Sequence, residues 1–546
     1  MEYHHGERVR HLGTLPAMAA DRYGEKTAFS VGDADRTYAE FDAEVDRVAT
    51  ALVNWGVEPG ERVGLLFPNT IRFPAAFFGV VRAGAVSTPL NLELDPDTLE
   101  YVVRDAGVET LIASSALGDD ARELAEATTV ETLFVPGIDE EGGRAVDYDR
   151  ATAEADAGFE QVERDPDDAC VQVYTSGTTG RPKGVPLGHT VLLSGIESFG
   201  RCLPIDAEDT ALLATPMFHV YGSGMLGLFT YTGGSTVIGP DPSPAESLAA
   251  IDDHGVTVVP AVPAIFATMY REYCEAPGEY DLSSLRVLVS AGAPLSEDVR
   301  RSVERAWDVR LVETWGMTEA PAATLEPAHG VRKEAGCVGP PLPGVELELV
   351  DPVTHEPIVP REELEVTSGP ESDAEDDAST GELAIKGPSV FDGYHGGPAP
   401  SEETFDDDGW FYTGDVGRID GDGYVWLVDR ADDMIVTGGN NVYPAEVEAV
   451  LTEHPDVAHA AVVAAPHEVK GEAPVAVVVP ESGADPDEEG IRSFALERLA
   501  AYAHPRRVFV VEELPRSATQ KVQRHRLEAA VGRRLDGPLE PGSGEL

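Results

Sequence analysis

An α/β fold followed by a separate α+β unit is what the 546-residue sequence predicts, on three observations. Short apolar runs alternate with amphipathic helical segments from Arg36 to about Cys337, which favours parallel sheet covered by helices. After about Cys337 the pattern turns to short strands divided by Gly/Pro turns, as in a small β-rich subdomain. From about Asp432 onward helix and strand patterns alternate within roughly a hundred residues, a length that suits one compact domain. The expected division is a large domain over 1–431, with its β-rich part at about 337–431, and a small α+β domain over 432–546.

The elements follow in order. Residues 36–56 carry Phe41, Val45, Val48 and Leu52 on one stripe and are predicted helical. A buried strand at 63–67 ends at Pro68-Asn69. A helix at 73–83 is closed by Gly84, and a strand returns at 85–89. Further strands are expected at 111–113, 133–135 and 169–174, the last running into a glycine-rich stretch. Beyond that stretch, strands are predicted at 211–215, 236–238, 256–259 and 287–290. Helices are predicted at 245–254, 264–273 and 297–307. Residues 362–380 are acidic and poor in apolar side chains, a solvated insertion. In the last domain, helices are expected at 444–451 and 491–503 and strands at 457–464 and 475–479. The tail after Leu535 contains Gly and Pro and is expected to fray.

Composition narrows the function classes. The formal net charge is -58, without the basic footprint that nucleic-acid binding requires. The same balance disfavours anionic membranes. No apolar run reaches the roughly eighteen residues of a membrane span, and residues 1–13 lack the apolar core of a secretory signal. Cys170, Cys202, Cys274 and Cys337 are scattered, as reduced thiols of a cytoplasmic protein would be. Self-repulsion of this size loosens a fold in dilute buffer, whereas in roughly 1 M salt the Debye length falls to about 3 Å. With lysine confined to six positions, this motivates the hypothesis of a halophilic, high-salt cytosol. Folding and activity that peak at low salt would refute it.

The densest chemical signal runs from Tyr174 to Val185. Thr175, Ser176, Thr178 and Thr179 offer hydroxyls, while Gly177, Gly180 and Gly184 let the backbone approach a ligand. Lys183 adds a compact positive charge, in a chain that seldom uses lysine. A Ser/Gly-rich surface loop is the ordinary alternative. The lysine inside the loop favours polyphosphate binding. The spacing is not that of a Walker A loop, so a P-loop kinase is disfavoured.

Four further stretches stand downstream: Ser290-Ala291-Gly292-Ala293-Pro294, Glu313-Thr314-Trp315-Gly316-Met317-Thr318-Glu319, Tyr412-Thr413-Gly414-Asp415 and Asp429-Arg430-Ala431-Asp432-Asp433. A last one is Pro515-Arg516-Ser517-Ala518-Thr519-Gln520-Lys521. In this order, with the glycine-rich loop, they resemble the adenylate-forming superfamily, which holds acyl-CoA synthetases, amino-acid adenylation domains and beetle luciferases. The resemblance covers nearly the whole chain, from the helix at Arg36 to Lys521. It implies that ATP, Mg²⁺ and CoA are used. Thr175, Ser176, Gly177, Thr178, Thr179, Gly180 and Lys183 would cradle phosphate. Gly292 and Ala293 would admit adenine beside Trp315, Gly316 and Met317; the family often has Tyr at Trp315. Thr318 would meet phosphate, Glu319 would hold Mg²⁺, Asp415 would accept the ribose hydroxyls, and Arg430 would reach ribose or phosphate. Lys521, catalytic together with Thr318 and Glu319, would touch both reacting oxygens; the family usually has Gly at Gln520. The C-terminal domain is implied to be a mobile lid turning about Asp432, with Gly438 and Gly439 facing CoA.

Pro216-Met217-Phe218-His219-Val220-Tyr221-Gly222 resembles the family's acyl-pocket segment. His219 stands where amino-acid-activating relatives carry Asp, so the acid expected lacks an α-amine. His219, Val220, Gly222 and Gly316 would line its pocket. The expected reaction is that of an AMP-forming acyl-CoA synthetase acting on a medium- or long-chain fatty or related acid, with branched and aryl acids open. A ligase acting on a carrier protein and an inactive nucleotide-binding relative stay open as alternatives. The partners expected are small molecules, without nucleic acid or membrane insertion, and a homodimer is compatible.

Overall fold

The computed structural model describes residues 9–32, 34–138, 144–175, 181–239, 243–330, 333, 336–358, 380–396, 404–484, 486–515 and 522–535. The chain forms two compact units. The larger comprises Met1–Leu347, Ile385–Phe411 and Gly423–Val425; the smaller comprises Glu348–Ala384, Tyr412–Asp422 and Trp426–Leu546. Much of the β-rich segment thus groups with the C-terminal part, and not with the residues before it. The acidic insertion lies outside the described residues, apart from Thr380, which opens a strand.

Two sheets organise the larger unit. One has seven strands, in the order Ala145–Asp147, Thr132–Val135, Thr110–Ala113, Arg62–Leu66, Val86–Pro89, Ala169–Thr175, Lys183–Gly188. Every pairing in it is parallel except the last. The other has eight, in the order Thr324–Leu325, Arg310–Trp315, Val287–Ser290, Val258–Ala261, Thr210–Leu213, Ser235–Ile238, Thr27–Val31, Ala34–Thr37. It is parallel between two antiparallel ends. Val86–Pro89, Val258–Ala261 and Val287–Ser290 are buried along their length, as strands covered on both faces are.

Local signals set the helix ends. The helix Tyr38–Asn54 begins two residues after the expected start. Thr37 accepts from the Glu40 amide and Glu40 reaches back, a capping box that leaves Arg36 in the preceding strand. Arg72–Arg82 ends ahead of Gly84, whose φ of 79° suits a left-handed terminus. Glu297–Trp307 and Val287–Ser290 fall where expected. The helices Pro96–Ala106, His189–Cys202 and Val220–Thr232 were not expected. Val220–Thr232 carries apolar side chains all round because it is buried, and so has no stripe to read.

In the smaller unit a sheet runs Asn440–Val442, Ile435–Thr437, Gly471–Pro480, Val457–His467, with Arg507–Val510 parallel to Gly471–Pro480. Alternate residues serve opposite faces. Val462, Ala476 and Val478 pack with Val447, Leu451 and Ile491, and Ala461, Val463, Val475 and Val477 pack with Leu527 and Val531. Among the described residues no helix is long and apolar enough to cross a membrane.

Candidate active site

The glycine-rich stretch connects two antiparallel strands at the edge of the seven-stranded sheet, with Thr175 opposite Lys183. A strand follows the loop, whereas a Walker A lysine opens a helix. Ser176, Gly177, Thr178, Thr179 and Gly180 lie outside the described residues. The mouth of the hairpin is fastened on both strands. Tyr174 donates its hydroxyl to Asp105 Oδ2 at 2.8 Å, and the His395 amide donates to the Gly184 carbonyl at 2.8 Å. His395 Nε2 donates to the Asp105 carbonyl at 3.0 Å, and its Nδ1 accepts from Arg62 at 3.2 Å.

A second segment of the same unit presents Thr318 and Glu319. The strand Arg310–Trp315 ends in a tight turn in which the Met317 amide donates to the Ala320 carbonyl at 3.0 Å and the Ala320 amide returns at 3.1 Å. Thr318 and Glu319 are its central residues. Gly316 is required by close approach, since a Cβ there would lie 2.8 Å from the Pro321 carbonyl oxygen. Trp315 is only 6% exposed, so its ring is largely packed into protein. Glu319 is also buried; Tyr394 donates its hydroxyl to Glu319 Oε1 at 2.8 Å, and the Lys183 ammonium lies 5.0 Å from the centre of the Tyr394 ring. Nothing in the sequence spacing singled out Tyr394.

Gly292, with φ 80°, and Ala293 follow the strand Val287–Ser290. Among the described residues, a Cβ at Gly292 would meet Val262 alone within van der Waals range, at 3.6 Å, so little protein packs against this surface. Two residues past Ala293, the Leu295 amide donates to Glu313 Oε1 at 3.2 Å. Burial pushes the Glu313 carboxyl up to about 7.

The expected acyl-pocket segment is held by Asn69, whose amide group donates to the Thr215 carbonyl at 3.1 Å and accepts from the Met217 amide at 2.9 Å. His219 caps the helix Val220–Thr232 in an extended conformation. Phe218, His219, Val220 and Thr318 line one cavity with Pro89, Asn91, Leu94, Val102, Val173 and Tyr174. Among the described residues no carboxylate, ammonium or guanidinium lines it. Gly222 and Gly316 are not among the lining residues. Gly222 instead lets the helix sit on the preceding turn: a Cβ would lie 2.3 Å from the Pro216 carbonyl oxygen.

In the smaller unit Asp415 and Arg430 form an ion pair at 2.5 Å, and Asp415 is placed by Gly414, whose φ is 69° and whose amide donates to buried Glu382 at 2.7 Å. Asp432 is exposed within the turn Ala431–Asp433. On either side of it, Asp429 accepts from the Ala445 amide at 2.7 Å and Asp433 pairs with Arg524 at 3.2 Å. Gly438 and Gly439 are the two central residues of a hairpin turn, with φ of 61° and 84°, as a primed turn demands. Lys521 lies outside the described residues. No group of three or more His, Cys, Asp or Glu side chains suited to a metal occurs among the described residues.

The family model described as AMP-binding enzyme matches residues 17–395, and that of the AMP-binding enzyme C-terminal domain matches residues 446–521. The chain is 35% identical to a feruloyl-CoA synthase of an Amycolatopsis species over 97% of this chain and 100% of that protein. It is 32% identical to an oxalate–CoA ligase of Arabidopsis thaliana, over 94% and 97% of the two chains. The structure is similar to ATP-bound MatB from Rhodopseudomonas palustris, with a TM-score of 0.82 and 31% identity over 95% of this chain and 98% of that one.

Proposed function

The chain belongs to the AMP-binding enzyme family, within the adenylate-forming superfamily, and on that premise we propose that it is an AMP-forming acid–CoA ligase for an apolar monocarboxylic acid. One observation supports this choice of acid. The cavity that holds His219 and Val220 also holds Thr318, and among the described residues its lining carries no carboxylate, ammonium or guanidinium. An α-ammonium or a second carboxylate would enter it without a charged partner, at a cost of several kcal/mol. A fatty acid of medium or long chain, or an aryl acid, meets no such penalty.

The acid's carboxylate oxygen attacks the α-phosphorus of ATP, pyrophosphate leaves, and acyl-AMP forms. The CoA thiol then attacks the acyl carbon and AMP departs with the acid's oxygen. Lys183, the loop hydroxyls and Thr318 are assigned to phosphate, Gly292 and Ala293 to adenine, Asp415 and Arg430 to ribose, and Gly438 and Gly439 to CoA. Lys521 is assigned to the reacting oxygens, where an ammonium offsets the developing charge. Asp432 is assigned as the pivot of the C-terminal domain, 432–546.

Glu319 fits a divalent cation that arrives with nucleotide. Mg²⁺ commonly takes one or two carboxylates and completes its shell with phosphate oxygens and water. Glu319, buried and hydrogen-bonded to Tyr394, offers one such carboxylate. When bound, Mg²⁺ would neutralise charge on the phosphates. The net charge of -58 fits work in a high-salt cytosol.

The test is ATP–pyrophosphate exchange in molar KCl across fatty, aryl, amino and dicarboxylic acids, followed by thioester assay with free CoA. Exchange with fatty or aryl acids and transfer to free CoA are expected. Exchange confined to amino acids or dicarboxylates, or transfer only to a carrier-protein arm, would overturn the proposal.

A further inference from the structure

We propose that Tyr394 is a positioning residue that joins Lys183 and Glu319, its hydroxyl aiming the carboxylate and its ring face seating the ammonium. This rests on the ATP-dependent reading above and gives a part to a residue that lies in none of the motif stretches. Lys183 comes from the edge of the seven-stranded sheet, and Glu319 follows a strand of the eight-stranded one. Tyr394 touches both, at 5.0 Å from ring centre to ammonium and 2.8 Å from hydroxyl to carboxylate oxygen. Its own place is fixed at each side. Phe391 is buried, packs edge-on to the Tyr394 ring at 5.0 Å, and donates its amide to the Glu319 carbonyl at 2.9 Å. His395 donates its amide to the Gly184 carbonyl, one residue from Lys183.

The physical need is plain. A lysine side chain loses rotamer freedom when it is held in one place. Seating it beforehand on an aromatic face lessens what phosphate binding must supply. A buried carboxylate needs charge-assisted hydrogen bonds to stay ionised and aimed, and groups that orient a metal ligand commonly matter about ten-fold or more in metal affinity. Tyrosine supplies both functions; phenylalanine supplies only the ring.

The two functions separate in two variants of the full chain, Tyr394→Phe and Tyr394→Leu. The measurements are Mn²⁺ affinity of the complex with a non-hydrolysable ATP analogue, by electron paramagnetic resonance, and analogue affinity without metal. Tyr394→Phe should weaken Mn²⁺ binding about ten-fold and leave metal-free nucleotide binding unchanged. Tyr394→Leu should show the same metal defect and a further loss of about two- to five-fold in metal-free nucleotide affinity. KM for the acid should not change in either. Wild-type Mn²⁺ affinity in Tyr394→Phe overturns the inference. Should Tyr394→Leu unfold, the phenylalanine variant still decides, because it keeps the packed ring. Failure of the wild type to release pyrophosphate with any acid would instead overturn the enzymatic reading, a separate outcome.

Discussion

Glu313 shows how one buried residue ties stability to pH. Its carboxyl is 5% exposed and is raised by burial from 4.5 to about 7. A carboxyl raised in the folded state contributes its stability below about pH 4.5 and loses it as pH climbs toward about 7, because the unfolded chain releases the proton first. Glu313→Gln keeps an oxygen to accept from the Leu295 amide and has no proton to lose. Relative to wild type it should gain stability progressively across that window, reaching a plateau on the order of 3 kcal/mol above about pH 7. Urea unfolding at several pH values checks this, and parallel curves for the two proteins would refute it. Candidate roles that rest on side-chain chemistry alone could be proposed from the sequence. Lys183 stood out by its rarity and Glu319 by its place in an ordered motif. Tyr394 did not, because its meaning comes from two partners, 211 and 75 positions distant in the chain, that only folding assembles.

At the scale of elements, burial alone did not decide which helices were readable: Arg72–Arg82, buried almost throughout, was expected, whereas the half-exposed Pro96–Ala106 was not. Glu297–Trp307, expected helical, is capped by Ser296 and buries a stripe that includes Val303 and Trp307. The helix Val220–Thr232 has no such stripe, and its glycines look like pocket space when read in sequence. The structure gives Gly222 another task, that of allowing the helix start to lie against Pro216. Gly222→Ala would place a Cβ 2.3 Å from a backbone oxygen. It should destabilise the protein by about 1–3 kcal/mol and raise KM for the acid, as Phe218, His219 and Val220 shift. An unchanged melting temperature together with an unchanged KM would contradict this. The glycine-rich stretch shows the converse: a function class could be proposed for it from sequence, but the antiparallel pairing of the strands that flank it could not be read, because strand pairing is not set by composition.

At the scale of the whole molecule, charge and fold class were both open to reading from sequence. Alternating strands and helices gave the parallel sheets, and the AMP-binding enzyme family accounts for their combination with a C-terminal domain. The grouping of the β-rich strands with that domain was not readable, since contacts and not composition determine it. With a net charge of -58, stability toward urea, an uncharged denaturant, should rise as KCl increases to about 1 M, where screening reaches about 3 Å. Stability that falls over that range would remove the high-salt proposal and leave the chemistry untouched.

The chemistry is tested most directly by labelling the acid. With an apolar monocarboxylate carrying ¹⁸O in both carboxyl oxygens, and with ATP and CoA, the account predicts one ¹⁸O in the AMP released and none in inorganic phosphate. Label found in inorganic phosphate alongside ADP, or AMP free of label, would contradict it.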